Sequence, residues 1–438
     1  MNVASNKTVA QTLDSDYRHY AMYVLEKRAI PCFIDGMKPE HMKLFYAMLN
    51  EHRGKKTKVS DLGGISKLNY HHGESSAMGA AVTLTAEWNN NVPLFQGHGN
   101  FGSRLIQEAA APRYIFASAN PEINKYFSDF EVCDKNSDED SPEPQTYLPN
   151  IPWVLVNGVE GIAVGFACRY LPHSPVDIAK ACQLAIKGKL KDDYVIPVTF
   201  PGFRGEVIQE TPTKVVTRGI VTRVKRNTWQ ITEAPWGYDR DQMFNQLDKM
   251  MADNKIVDFD DDCNDTGFNF LVKLDSACDA KCQKDPIAYF KLEKAFTENY
   301  TALDETGKLR LFESKPEIIR AFVEYRVKKI GDKIQYDIKD VSAKLTWAML
   351  KLNLIGDVLE RKIDLLAMKR ADLIAYTVDE YAASEENATK LTQIPIVDMT
   401  SDKLADLRLE IAKLGAALED LRRLDPTDVY TARLSAIK

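Results

Sequence analysis

The 438-residue chain has no apolar run close to the roughly 20 residues that a membrane-spanning helix needs, so no such helix is expected. Its opening, MNVASNKTVAQTLDSDYRHY, lacks the apolar centre of a secretory signal, so a cytoplasmic location is expected. Cysteine is sparse: seven residues, an odd number scattered at 32, 133, 168, 182, 263, 278 and 282, argue for reduced thiols rather than a disulfide framework. Cys278 and Cys282 are spaced CxxxC with Cys263 upstream, but no histidine follows His173 to complete a zinc site of four ligands. No GxxxxGK[ST] phosphate loop is present, so any ATP used by this protein is expected on another chain. No repeat with a period of about 20–50 residues is evident either.

Charge is modest and uneven. A formal net charge of −6 rules out a uniformly basic nucleic-acid coat, yet residues 1–120 hold 13 Lys/Arg against 10 Asp/Glu and six of the seven histidines. The acid lies elsewhere, with six acidic residues and one lysine in 131–143, which read as a solvated loop. Phosphate binding needs one basic groove rather than a basic protein.

Hydrophobic spacing predicts an amphipathic helix over 15–30 stopped by Pro31, a second from Lys38-Pro39 to about His52, and a third over 75–88. Short helices separated by RGKK, DLGG and NNNVP fit a helix-turn-helix or winged-helix module. Residues 190–312 alternate apolar and polar like half-buried strands, an α+β pattern. After the capping-box signal Ser314-Lys315-Pro316-Glu317, two long apolar stripes, Val327 to Ile355 and Leu404 to Leu421, predict an antiparallel coiled coil with a small tip at about 356–400. Asp258, Asp260 and Asp262 spell DxDxD, which could hold Mg²⁺; the following FNFLVKL strand favours a solvated hairpin edge instead.

One neighbourhood carries chemistry. Pro112-Arg113-Tyr114 places a phenol beside a fixed cation, just after the glycine-rich loop Gly97-His98-Gly99-Asn100-Phe101-Gly102-Ser103. A tyrosine hydroxyl, with a pKa of about 10, attacks a phosphodiester only if its oxyanion and target are stabilised. A guanidinium stays protonated and grips phosphate oxygens in pairs. With 18 tyrosines in the chain, an Arg-Tyr pair by itself also describes packing or a surface hydrogen bond, and the surrounding motifs decide between these readings. Tyr70-His71-His72-Gly73-Glu74 is one of them. Adjacent histidines diverge and lack a third ligand, so a hydrogen bond to phosphate or tyrosine suits them better than a metal.

In order, Arg28-Ala29-Ile30-Pro31 with Asp35-Gly36-Met37-Lys38-Pro39, Tyr70 to Glu74, Gly97 to Ser103, Pro112 to Phe116 and Ile151-Pro152 through Gly161-Ile162 resemble the breakage-reunion subunit of type IIA DNA topoisomerases. That family includes gyrase A, its topoisomerase IV counterpart, the central region of the eukaryotic enzyme and the medium subunit of the split bacteriophage enzyme. The chain's brevity is similar to the bacteriophage form, for which the location would be the host cytoplasm.

The resemblance implies an α+β multidomain fold: an N-terminal helical arm over 1–30, a winged-helix DNA-cleavage domain over 31–148, a tower domain over 149–313, and a coiled coil with a dimerisation gate over 314–438. It implies that Tyr114 forms a transient 5′-phosphotyrosyl bond and that Arg113 steadies the scissile phosphate. Arg28, Lys38 and His72 would contact phosphate or the reacting tyrosine, with His41, Lys43 and His71 as further DNA-binding candidates and Ile162 as a wedge between base steps. His41-Met42-Lys43 departs from the family's usual Gln/His-Arg, which leaves one phosphate contact missing or displaced, and His98 interrupts the usual glycine-rich loop. The implied activity is ATP-dependent relaxation or decatenation by a homodimer on double-stranded DNA. No β-propeller, ATPase or Toprim-type metal domain is recognised, so Mg²⁺ and ATP are expected on a partner subunit. A non-catalytic dimeric DNA-bridging protein is the alternative, and a tyrosine recombinase acting alone a third reading that fits the motif order less well.

Overall fold

Proline at position 31 has no N–H to continue a helix, and it closes a helical run that alternates α and π turns from Val9–Gln11 through Leu25–Ala29. The computed structural model describes residues 8–65, 73–365 and 367–438. They fall into two compact units, residues 1–326 with 431–438, and residues 327–430.

In the first unit, Pro39 starts the helix Pro39–Tyr46, where a missing N–H costs nothing, and the chain continues as a π turn over Ala47–Glu51. Met42, Leu44, Phe45 and Met48 are buried. Phe45 meets Tyr147 edge-on at 4.9 Å and Phe127 at 5.3 Å between centroids, which gives this core a specific aromatic packing. Helices Val59–Leu62 and Glu74–Thr85 follow. Strands β1 (Thr57–Lys58), β2 (Phe95–His98) and β3 (Phe116–Ala119) form an antiparallel sheet with β3 in the middle.

Asp35 ties these parts together. Its carboxylate is wholly buried and accepts the Met37 N–H (3.0 Å), the Tyr147 N–H (2.8 Å) and the Thr146 hydroxyl (2.9 Å). Burial pushes its pKa up to about 6, and the three donors oppose that shift. Beside it Gly36 has φ +62°, and a Cβ there would lie 2.7 Å from the Val154 backbone, so only glycine fits the turn.

Strands β4 (Val159–Ile162) and β5 (Ala167–Tyr170) make a hairpin. Strands β6 (Glu206–Gln209), β7 (Lys214–Arg218) and β12 (Glu293–Thr297) form one antiparallel sheet in the order β12-β7-β6. Strands β8 (Ile220–Lys225), β9 (Thr228–Glu233), β10 (Asp258–Asp261) and β11 (Phe270–Lys273) form another in the order β10-β11-β9-β8. One face of the latter buries Trp229, Ile231, Phe270 and Val272 against Met243, Leu247 and Met250 of the helix Arg240–Ala252, whose start Asp239 and Gln242 close with a capping box.

The helix Lys315–Leu359 begins in the first unit. The expected box at its start is displaced by one residue: the Glu317 N–H does reach the Ser314 hydroxyl, but the Glu317 carboxylate takes the N–H of Glu313. Lys315 is buried and pairs with Glu298 at 2.8 Å. Tyr300 donates to the same carboxylate, and Lys315 donates to Nε2 of the wholly buried His173, whose Nδ1–H donates to the Pro197 carbonyl. Arg326, with no exposed surface, and Arg433 both pair with the buried Asp129.

In the second unit Ala348 and Ile355 pack against Leu407 of the helix Ser401–Arg422. Gly356 faces Leu404 and Gly331 faces Pro426, which makes the two long segments antiparallel. A separate core of Leu350, Leu354, Ile363, Leu373, Ala388 and Leu391 lies at the far end of the long helix.

Burial, and after it the Lys315 charge, pushes His173 down to about 3, so the folded protein holds it neutral where an unfolded chain protonates it below about 6.5. A depressed histidine pKa means that this contribution is complete above pH 6.5 and lost as pH falls toward 3, by about 2 kcal/mol at pH 5. Asp35 and His41 also titrate differently in the folded and unfolded chains over this window, so the loss is read by comparison: between pH 7.5 and pH 5 in urea unfolding, His173→Gln should lose about 2 kcal/mol less than the parent protein.

Candidate active site

Tyr114 lies in a turn immediately before β3, held by backbone contacts on both sides. The Tyr114 N–H donates to the Ala111 carbonyl (2.9 Å), while Val59 and Ser60, at the start of their helix, donate to the carbonyls of Ile115 (3.1 Å) and Pro112 (3.3 Å). Ile115 is buried, and its side chain seats 2.8 Å from where a Cβ on Gly99 would stand, at φ +120°. The glycine-rich loop thus works by absence of side chains. Gly97 leaves room for the Phe101 ring, and Gly99 for Ile115. His98 pairs with Phe116 across β2 and β3, and its Nε2 meets the Ser118 hydroxyl at 3.0 Å.

With the backbone fixed, the Tyr114 side chain is 68% exposed. The exposed Arg113 guanidinium stacks on its ring at 4.9 Å. The arrangement can present a phenol oxygen and a fork of N–H donors to one phosphodiester.

The other sequence candidates separate. Lys38 donates from Nζ to the Glu160 carbonyl (2.9 Å), at the base of the hairpin that carries Ile162. His41 shares with Lys38 a cleft of about 310 Å³, where burial and the Lys38 charge push the imidazole down to about 3 and keep it neutral. Arg28 is exposed at the rim of another cavity, of about 260 Å³. Ile162 is 77% exposed near the hairpin tip, with Val164 and Phe166 also partly exposed. His71 and His72 lie outside the described residues.

Lys43 is corrected. Two residues along a helix are about 200° apart in direction, so when His41 faces the cleft Lys43 points away from it. Its ammonium is buried, 2.6 Å from the buried Glu143 carboxylate and 3.1 Å from Ser141. That charge is spent inside the protein and is not offered to a phosphate.

The sequence pattern marked Arg53, Lys55 and Lys56 only as part of a turn and gave Lys58 no reading. All four are exposed on or next to β1, which pairs with the strand that follows Tyr114; Lys56 also lies 4.9 Å from the Phe116 ring centroid. Four cations within six residues were the available signal. Two of the three DxDxD acids are occupied locally, since Lys273 on β11 lies 3.1 Å from Asp258 and 3.2 Å from Asp260, and Arg240 takes the intervening Asp261. Among the described residues no group of three or more His, Cys, Asp or Glu side chains could hold a metal ion.

Comparison with known proteins adds to this geometry. A family model for the DNA gyrase/topoisomerase IV A-subunit matches residues 28–435. The DNA topoisomerase medium subunit of Enterobacteria phage T4 is 34% identical over 99% of both chains. The putative mitochondrial DNA topoisomerase 2 of Caenorhabditis elegans is 28% identical over 97% of this chain, which spans 39% of that protein. The crystal structure of the Plasmodium falciparum topoisomerase II DNA-binding, cleavage and re-ligation domain superposes with a TM-score of 0.87 at 23% identity, over 98% of this chain and 63% of that one.

The two readings of Lys43 differ in outcome. Lys43→Met should lower unfolding stability by about 3 kcal/mol, because Glu143 is left as a buried, uncompensated charge. A phosphate contact would instead lower DNA affinity with stability intact, and urea unfolding beside a binding titration separates the two.

Proposed function

Because this chain belongs to the DNA gyrase/topoisomerase IV A-subunit family, the cleavage and religation subunits of type II DNA topoisomerases, we propose that it breaks and rejoins duplex DNA through Tyr114. The observation that carries this reading is an exposed phenol, stacked by Arg113, on a turn whose backbone is fixed on both sides.

The reaction is a transesterification. The Tyr114 oxygen, giving up its proton, forms a bond to phosphorus as the bond to the 3′ oxygen breaks; that oxygen leaves as a 3′-hydroxyl and the 5′ end stays on the tyrosine. One ester replaces another, so the reverse attack reseals the strand without ATP. Arg113 holds the phosphate oxygens and stabilises their charge in the transition state. The strip Arg53, Lys55, Lys56 and Lys58 supplies sequence-independent phosphate contacts alongside. Ile162 enters a base step as an apolar wedge, where a few kcal/mol of unstacking are offset by the contacts of a bent duplex.

The three helices and three-stranded sheet around Tyr114 serve as a winged-helix module, the sheets of residues 206–297 as a tower, and the antiparallel helices of the second unit as a coiled coil. Two copies related by a two-fold axis would cut opposite strands. The exposed Ile396 and Val397 in the second unit suit a contact between copies. Type II topoisomerases use Mg²⁺ and ATP. A partner subunit would supply both, with relaxation or decatenation as the net activity, a division that the likeness to a phage medium subunit supports.

Tyr114→Phe, assembled with Mg²⁺ and the partner subunit, should form no denaturant-resistant DNA adduct while its DNA affinity stays close to that of the parent protein. An adduct on the Phe variant would refute the assignment of the nucleophile. A bridging protein would form no adduct in either case.

A further inference from the structure

The segment that delivers Tyr114, residues 99–115, contains neither helix nor strand. It is a closed loop all the same. Asn100 accepts the Ala110 N–H at 3.0 Å, which joins its two ends, and the Trp88 indole N–H donates to the Phe101 carbonyl at 3.0 Å. At its tip the Ser103 N–H donates to the Ile106 carbonyl (2.7 Å), and the Ser103 hydroxyl accepts the N–H groups of Leu105 and Ile106. This turn carries Arg104 to the end of the β8–β11 sheet.

Arg104 is held there through both terminal nitrogens of its guanidinium, while its buried Nε has no hydrogen-bond partner. Its guanidinium donates to the Tyr238 carbonyl (3.0 Å), the Ala234 carbonyl (3.4 Å) and the Glu233 carboxylate (3.1 Å), and it lies over the rings of Trp236 (4.7 Å) and Phe268 (5.4 Å). The side chain is 14% exposed and that of Glu233 4%. The Arg240 N–H reinforces the seat by donating to the Leu105 carbonyl at 3.0 Å. The 53%-exposed Arg204 shares Glu233 from the other side.

We infer that Arg104 is a positioning residue for the nucleophile: by pinning the tip of the 100–110 loop to the β8–β11 sheet, it fixes where the loop's exit, and hence Tyr114, stands. Arg104 touches no reacting atom. Its effect falls on the rate of attack rather than on DNA affinity, because an error of about 1 Å in a nucleophile's placement costs up to a hundredfold in rate. Lysine cannot substitute. An ammonium can keep the Glu233 charge partnered, but it cannot form the fork to two carbonyls or the flat stack on Trp236.

The inference rests on Tyr114 being the nucleophile, and the test keeps the two apart. The chain is assembled with Mg²⁺ and its partner subunit on a short labelled duplex, and single-turnover adduct formation is followed at saturating DNA beside a binding titration and thermal melting. Arg104→Lys should cleave about tenfold to a hundredfold more slowly with its DNA affinity within about twofold of the parent's. Glu233→Gln, which weakens the same anchor from its other end, should slow cleavage in the same sense and serves if the first variant does not fold. Arg204→Ala, which leaves the loop contacts in place, should cleave at the parent rate. Parent-rate cleavage by Arg104→Lys, or a deficit confined to DNA affinity, overturns the inference. Failure of the parent protein to form an adduct at Tyr114 overturns the nucleophile assignment, and this inference with it.

Discussion

The first unit depends on a carboxylate that water never reaches. Asp35 gathers three donors, two of them from residues more than 100 positions away, into one buried point. An isolated carboxylate in such a place would be expensive, and leaving any of its donors unpaired would cost about 1–3 kcal/mol each. The site is therefore specified closely: Gly36 turns beneath it, Lys38 and Pro39 leave it in a defined direction, and the helix that follows lays Phe45 against Tyr147. Within the Asp-Gly-Met-Lys-Pro motif, Asp35, Gly36 and Met37 are structural. Lys38 and Pro39 profit from where the first three residues put them.

The nucleophile candidate shows how a rigid site is made without regular secondary structure. Tyr114 exposes a large apolar ring, which by itself gains nothing in stability. Its neighbours supply the order instead: Ile115 is buried, Pro112 and Ile115 lend carbonyls to a helix start, and glycines admit side chains where a Cβ would collide. Exposure of the reactive group and rigidity of its mount are thus properties of adjacent residues.

Local signals were legible in the sequence because their causes are local. Proline at position 31 and at the start of the 39–46 helix, the apolar spacing of Phe45 and Met48, and the long stripes after residue 314 each declare an element within a few residues. The DxDxD run was readable as a hairpin edge for the same reason, since its lysine partner comes on the next strand. What could not be read were pairings set by tertiary folding. Lys43 resembled a free cation because Glu143 lies 100 residues on, and Arg104 drew no reading because its acceptors lie at 233–238. The basic strip at 53–58 was visible as composition, but its place beside the strand after Tyr114 follows only from the pairing of β1 with β3.

The hairpin bearing Ile162 has only two strands, a size with marginal stability on its own in water. Its firmness is borrowed. Gly161 lies so close beneath the Ala29 carbonyl that a methyl group there would stand 2.1 Å from that oxygen, and Lys38 clasps the carbonyl of Glu160 next door. A blade is only as stiff as its handle, and here the handle is the last turn before Pro31. Loosening that turn would leave every atom of the proposed wedge in place and still blunt it, because force exerted on stacked bases would be dissipated in the swing of the hairpin.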